Sequence, residues 1–127
     1  MPAQRPATVK LRSSLYADAV AIVEREYGRD VALGEIARRI ASSRRQLQRA
    51  YSEVGGTTFR AHLTSVRMER AAELLAGRAV TVREVAHRVG YRQPAQFAKA
   101  FRRHHGVAPS DFRAGGAARG AGEPVAA

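Results

Sequence analysis

The sequence predicts an all-α protein of about seven helices, in which two helix-turn-helix subdomains are joined by a long linker helix. Three observations carry this reading. Hydrophobic residues fill 45% of the 127 positions but aromatics only 6%, a balance that suits thin helical cores better than a β-sandwich. Apolar residues recur at i, i+3, i+4 and i+7 rather than alternating. One such pattern also occurs twice. Leu33, Ile36, Ala37 and Ile40, followed by Leu47, Ala50, Tyr51 and Val54, have a second copy in Val82, Val85, Ala86 and Val89, followed by Phe97, Ala100 and Phe101. The offset is 49 residues for the first helices of the pair and 50 for the second helices, which marks an internal duplication.

Taken in order, residues 1–12 carry Pro2 and Pro6 and show no period that could bury a face, so a flexible N-terminus is expected. A first helix reads from Ser13 or Ser14 to Tyr27, with Leu15, Ala19, Ile22 and Val23 on one stripe and Gly28 as its stop. The first subdomain then spans 13–56. Its two short helices cross at Ala37, as those of the second cross at Ala86, because a small side chain lets paired helices approach at a steep angle. Ser43 to Gln46 forms a capping box at the start of one helix, and Thr81 to Glu84 forms another. Gly90 occupies the turn of the second unit, and Ala41 is its counterpart in the first, where a left-handed backbone would cost Ala on the order of 1 kcal/mol.

The linker helix runs from about Thr58 to Ala76 within 57–77, with apolar surface from Phe59, Leu63, Val66, Ala71, Leu74 and Leu75. At ~1.5 Å per residue it is roughly 28 Å long, slightly short of the ~34 Å between successive major grooves on one face of B-DNA, so modest bending of a bound duplex is expected. The second subdomain spans 78–113. Pro94 starts its last long helix, and a short turn from Pro109 to Arg113 closes it with Phe112 as a plug. Residues 114–127, rich in Gly and Ala, read as a flexible tail.

Lys and Arg number 22 against 11 acidic residues, a net charge of +11, which points to a polyanionic partner, nucleic acid or an acidic membrane face. The longest apolar run, Ala19 to Val23, is far below the ~18 residues of a membrane span, and residues 1–12 lack the apolar stretch of a secretory signal. A cytoplasmic protein without membrane attachment is expected. The absence of cysteine excludes disulfides, thiolate zinc sites and cysteine nucleophiles. No Gly-rich phosphate loop precedes a helix, and the four His stand apart from any Ser or carboxylate constellation, so neither an enzyme nor a cofactor is expected. His104 and His105 read as core packing and helix-end capping rather than metal ligands, since neighbours on a helix do not face each other and no acidic cluster lies nearby in sequence.

The residues also carry a family likeness. Leu33, Glu35-Ile36-Ala37, Ser43, Leu47, Arg49, Tyr51 and Gly55 resemble the first half of the AraC/XylS-type DNA-binding domain. Arg67-Met68, Ala71, Leu74-Leu75, Val82, Glu84-Val85-Ala86, Val89-Gly90-Tyr91, Phe97, Phe101-Arg102-Arg103, Gly106, Pro109 and Phe112-Arg113 resemble the second. The likeness covers about 13–113. It implies a bacterial transcription regulator whose two second helices enter major grooves of double-stranded DNA. Ala41, where the family usually has glycine, and Gln93-Pro94-Ala95, in place of a serine-containing start, are departures from its pattern. The length matches the stand-alone, MarA-like subgroup or a domain of a longer protein.

On the first recognition helix the core stripe turns Arg44, Arg45, Gln48 and Arg49 outward. Arg matches guanine N7 and O6 and Gln matches adenine N7 and N6, so this face is assigned to base reading, with simple solvation of a basic face as the alternative. Five Arg and no acid lie between Arg38 and Arg49. The second unit offers Arg92, Gln96 and Lys99 to bases, with Ala98 allowing close approach. Ser43, Thr81, Arg102 and Arg103 are assigned to phosphates. Arg67 is equally readable as a structural residue. The rival reading is a helical interaction module docking on RNA polymerase with only non-specific DNA affinity, and RNA polymerase is a second partner class even for a DNA-binding regulator. A single chain carrying both recognition helices is expected to bind as a monomer.

Overall fold

The computed structural model describes residues 6–77 and 79–116. These form seven α-helices and, among the described residues, no strand: α1 Pro6–Glu26, α2 Leu33–Arg39, α3 Arg44–Ala50, α4 Phe59–Gly77, α5 Val82–Arg88, α6 Pro94–His105 and α7 Pro109–Asp111. Two helices end in wider, π-type turns, α3 through Tyr51–Gly55 and α7 through Phe112–Gly116. The chain divides into two compact units between Leu63 and Thr64, inside α4.

In the first unit, Leu15, Ala19, Ile22 and Val23 of α1 are buried together with Leu33, Ile36 and Ala37 of α2 and Leu47, Ala50 and Tyr51 of α3 and its extension. Tyr51 stacks edge-on against Tyr16 and Phe59, and its hydroxyl lies 2.8 Å from His62 Nδ1. Glu26 accepts from Arg39 at 2.7 Å and from Arg29, tying the end of α1 to α2. Those bonds, Arg39 first, hold its carboxyl down at about 2. Gly55 lies against Tyr16, and a Cβ there would meet the ring at 2.5 Å.

Two expectations need correction here. The first helix begins at Pro6, not at Ser13, because Pro suits a first helical position and nothing from Ala7 to Arg12 breaks a helix. The extra turns hold Val9 and Leu11 about half exposed, so no buried stripe announced them. Val54 leaves the core, at 41% exposure, because the wide turn after Ala50 shifts the register of the stripe.

In the second unit, Met68, Ala71 and Leu75 of α4 are buried, as are Val85, Ala86 and Val89 at α5 and Phe97 and Phe101 of α6. Phe112 packs edge-on against Phe101 with ring centroids 5.4 Å apart, the expected plug, and Arg113 Nε donates to the Leu75 carbonyl at 3.2 Å. Residues 114–116 continue the final turn instead of beginning a loose tail; the rest of the expected tail lies outside the described residues.

The duplication is visible at the level of single hydrogen bonds. Both capping boxes form: Gln46 N donates to Ser43 Oγ and Glu84 N to Thr81 Oγ1, each at 3.0 Å, and each side chain returns the bond to the cap. Both turns close in the same way, Ser42 N donating to the Ala37 carbonyl at 2.8 Å and Tyr91 N to the Ala86 carbonyl at 2.9 Å. The left-handed residue is Ala41 (φ 57°) in one and Gly90 (φ 99°) in the other.

Candidate nucleic-acid interface

The capping box at Ser43 sets where α3 begins, and burial of Leu47 and Ala50 sets how it is rotated. The consequence is that Arg44, Arg45, Gln48 and Arg49 are all exposed, as assigned. Arg44 and Arg45 make no ion pair among the described residues. Arg49 does: its Nε lies 4.0 Å from Glu53 Oε2, and the other Glu53 oxygen is held by Arg12. Between α1 and α3 lies a half-open groove of 190 Å³ lined by Leu11, Arg12, Arg45 and Arg49 among others. Arg12 and Glu53 were missed in the sequence because they lie 41 positions apart. Of the five Arg in the basic run, Arg39 is committed to Glu26 and turned away from this role.

In the second unit, Pro94 at the first helical position and burial of Phe97 and Phe101 orient α6. Gln96, Lys99, Arg102 and Arg103 are exposed. Arg92 is exposed in the turn before α6, not on the helix itself. Lys99, Arg102 and Arg103 share an open concavity of 540 Å³ whose apolar part is Ala98 and Ala108, so the cations assigned to bases and to phosphates line one surface. Ser43 and Thr81 are both exposed, but Thr81 Oγ1 also faces Glu84 Oε1 at 3.5 Å, a carboxylate that disfavours an incoming phosphate.

Arg67 is structural. Its guanidinium carbon sits 5.7 Å from the Tyr91 ring centroid and would be 2.7 Å from a Cβ at residue 90. His105 Nε2 lies 2.9 Å from the Met68 carbonyl, and its ring centroid is 4.4 Å from that of Phe101. The packing role is as expected, but the carbonyl it meets is inside α4 and not at the end of its own helix, so the expected helix-end cap is replaced by a tie between helices. His104 differs from expectation. Its Nε2 lies 2.9 Å from Glu69 Oε2, and its ring meets that of His105 edge-on at 4.7 Å. The acid absent from the neighbouring sequence is supplied by α4.

Burial of the Tyr51 ring pushes its hydroxyl well above the usual tyrosine range, so it stays protonated. Desolvation likewise lowers the His62 imidazole, partly offset by Glu24. Among the described residues no helix is long and apolar enough to cross a membrane.

A family model described as a helix-turn-helix domain matches residues 36–115. Curated relatives include an HTH-type transcriptional regulator of Mycobacterium bovis, 34% identical over 109 residues covering 86% of this chain and 29% of its own. Another is the regulator GbdR of Pseudomonas aeruginosa, 30% identical over 85% of this chain and 29% of its own. The chain thus spans about a third of the length of the curated relatives it matches. Among solved structures, the C-terminal domain of the response regulator AraT from Geobacillus stearothermophilus superposes with a TM-score of 0.76 at 32% identity, over 79% of this chain and 84% of that one. The DNA-binding domain of AdpA, solved in complex with a target DNA, gives 0.74 at 29% identity over 87% of this chain and 97% of that one. With the family model extending across both units, the chain belongs to the AraC-type family of helix-turn-helix, DNA-binding transcription regulators.

Proposed function

We propose that one copy of this chain binds an asymmetric double-stranded DNA site, with α3 and α6 entering successive major grooves and Arg44, Arg45, Gln48 and Arg49 supplying most of the direct base reading. The observation that carries this reading is the duplication itself. Most helix-turn-helix proteins dimerise to present two recognition helices, and their sites are palindromic. Here two such helices belong to one chain, and their outward residues differ. Three Arg and a Gln stand on the first, while Gln96, Lys99 and two further Arg stand on the second. Two unlike readers in tandem specify an unsymmetrical sequence of roughly 20 base pairs, at about 10 per turn. The net charge of +11 supplies the sequence-independent part of the affinity through counterion release.

The test is selection of bound sequences from random duplex DNA, followed by native mass measurement of the complex and footprinting. One chain on an unsymmetrical site is expected, with affinity falling by a log–log slope of about −0.9 per phosphate contacted as salt rises. Two chains on a palindrome, or a footprint of one half-site, would overturn the bipartite monomer. Recovery of no preferred sequence would favour the docking-module alternative, with RNA polymerase as its partner.

A further inference from the structure

We propose that Glu69, His104 and His105 form a binding site for one divalent transition-metal ion of borderline hardness, with Zn²⁺ as the reference case, that pins the C-terminal end of α6 to α4. The donor set is two imidazoles and one carboxylate, the ligand types that zinc accepts alongside thiolate, with a fourth position left for solvent. One ligand atom from each residue lies within 4.8 Å of the other two, and His104 Nε2 and Glu69 Oε2 are 2.9 Å apart. Bonds of about 2.0–2.2 Å in a tetrahedron put donors about 3.3–3.6 Å apart. The 2.9 and 4.8 Å figures bracket the required spacing.

The side chains that must rotate have the room. Glu69 is 62% exposed and His104 29%, which also gives a path for entry from solvent. His105 is the fixed member. Its ring packs in a three-ring cluster with Phe101 and Phe112, centroids 4.4 and 6.0 Å away, and its Nε2–H donates to the Met68 carbonyl. That bond selects the tautomer with the lone pair on Nδ1, the kind of backbone anchor that ligating histidines characteristically have. The site also lies in the last turn of a 12-residue helix, where the carbonyl end of the dipole favours a cation. An exposed His–Glu contact alone contributes little, whereas a metal held by residues from α4 and α6 ties together two helices of the same unit.

The metal-free full chain is titrated with ZnCl₂ by calorimetry and thermal unfolding, and with CoCl₂ by visible absorption, all without DNA, so that the outcome is independent of the proposed operator binding. One equivalent is expected to bind, raising Tm through linkage, with cobalt giving the ligand-field bands of a low-coordinate centre. His104→Gln and Glu69→Gln, both at exposed positions and checked for unchanged helicity, are each expected to weaken Kd at least ~10-fold, while His87→Gln leaves it unchanged. No binding below about 100 µM, binding that survives both ligand substitutions, or binding lost in His87→Gln overturns the proposal.

Discussion

The two turns that define the duplicated units make the same pair of hydrogen bonds and solve the backbone problem differently. In the first, Ala41 sits at φ 57°, inside the small left-handed region that an L-residue can occupy at a cost. In the second, Gly90 sits at φ 99° with the Arg67 guanidinium against it and Tyr91 beneath that guanidinium. Strain is tolerated in one copy and designed out of the other, where the turn has been built into a cation–aromatic packing arrangement. A repeated fold therefore need not have interchangeable parts: the hydrogen bonds are shared, while what presses on the turn decides which residues fit.

The largest contrast is expected from Gly90→Ala, which meets both an unfavourable φ and the Arg67 side chain. It should destabilise the second unit by about 2–3 kcal/mol in denaturant unfolding. A loss as small as that of an ordinary surface substitution would mean that the two turns are equivalent after all. Next comes the division of reading. Alanine at Arg45, Gln48 or Arg49 should relax preference at individual base pairs, each by roughly 1–3 kcal/mol of discrimination. Arg102→Ala and Arg103→Ala should instead weaken all sequences about equally, and quantitative binding to a library of single-substituted sites distinguishes the patterns. Ala41→Gly should act in the opposite sense to the Gly90 change, relieving strain and raising stability by at most about 1 kcal/mol after the entropy of the unfolded glycine is counted.

The smallest effect concerns acid. Desolvation lowers the His62 pKa below its ordinary value of 6.5, so the folded state disfavours the proton that the unfolded chain takes up. Stability of the first unit is thus fully present above pH 6.5 and declines as pH falls below it. His62→Gln, which keeps an acceptor for the Tyr51 hydroxyl but cannot titrate, should remove this slope in unfolding curves collected across that range.

Much of this was legible in the residues. Ser43 with Gln46 and Thr81 with Glu84 announce helix starts because their chemistry is local, and Pro94 and Phe112 act through position and bulk alone. The internal repeat delivered the two units and the outward faces of α3 and α6. What escaped were features with no period and no local partner. Residues Pro6 to Arg12 are helical without burying a stripe. Val54 obeys a period that the backbone abandons three residues earlier. Glu69 meets His104 across 35 positions and Arg12 meets Glu53 across 41, separations at which sequence spacing says nothing about proximity.

Glu53 has a kinetic consequence. It stands beside the guanidinium of Arg49, anchored by Arg12, and is itself partly exposed. A carboxylate in that position mimics a phosphate oxygen, so any polyanion that approaches α3 must compete with an internal anion already in place. Exposed pairs of this kind are worth at most about 1 kcal/mol, too little to block a correct sequence that adds bidentate base contacts. Against backbone charge alone it subtracts from the only attraction available. On the proposed mode of binding the carboxylate is a tethered competitor, and Glu53→Gln is expected to lengthen residence on arbitrary DNA more than on a matched site in dissociation-rate measurements.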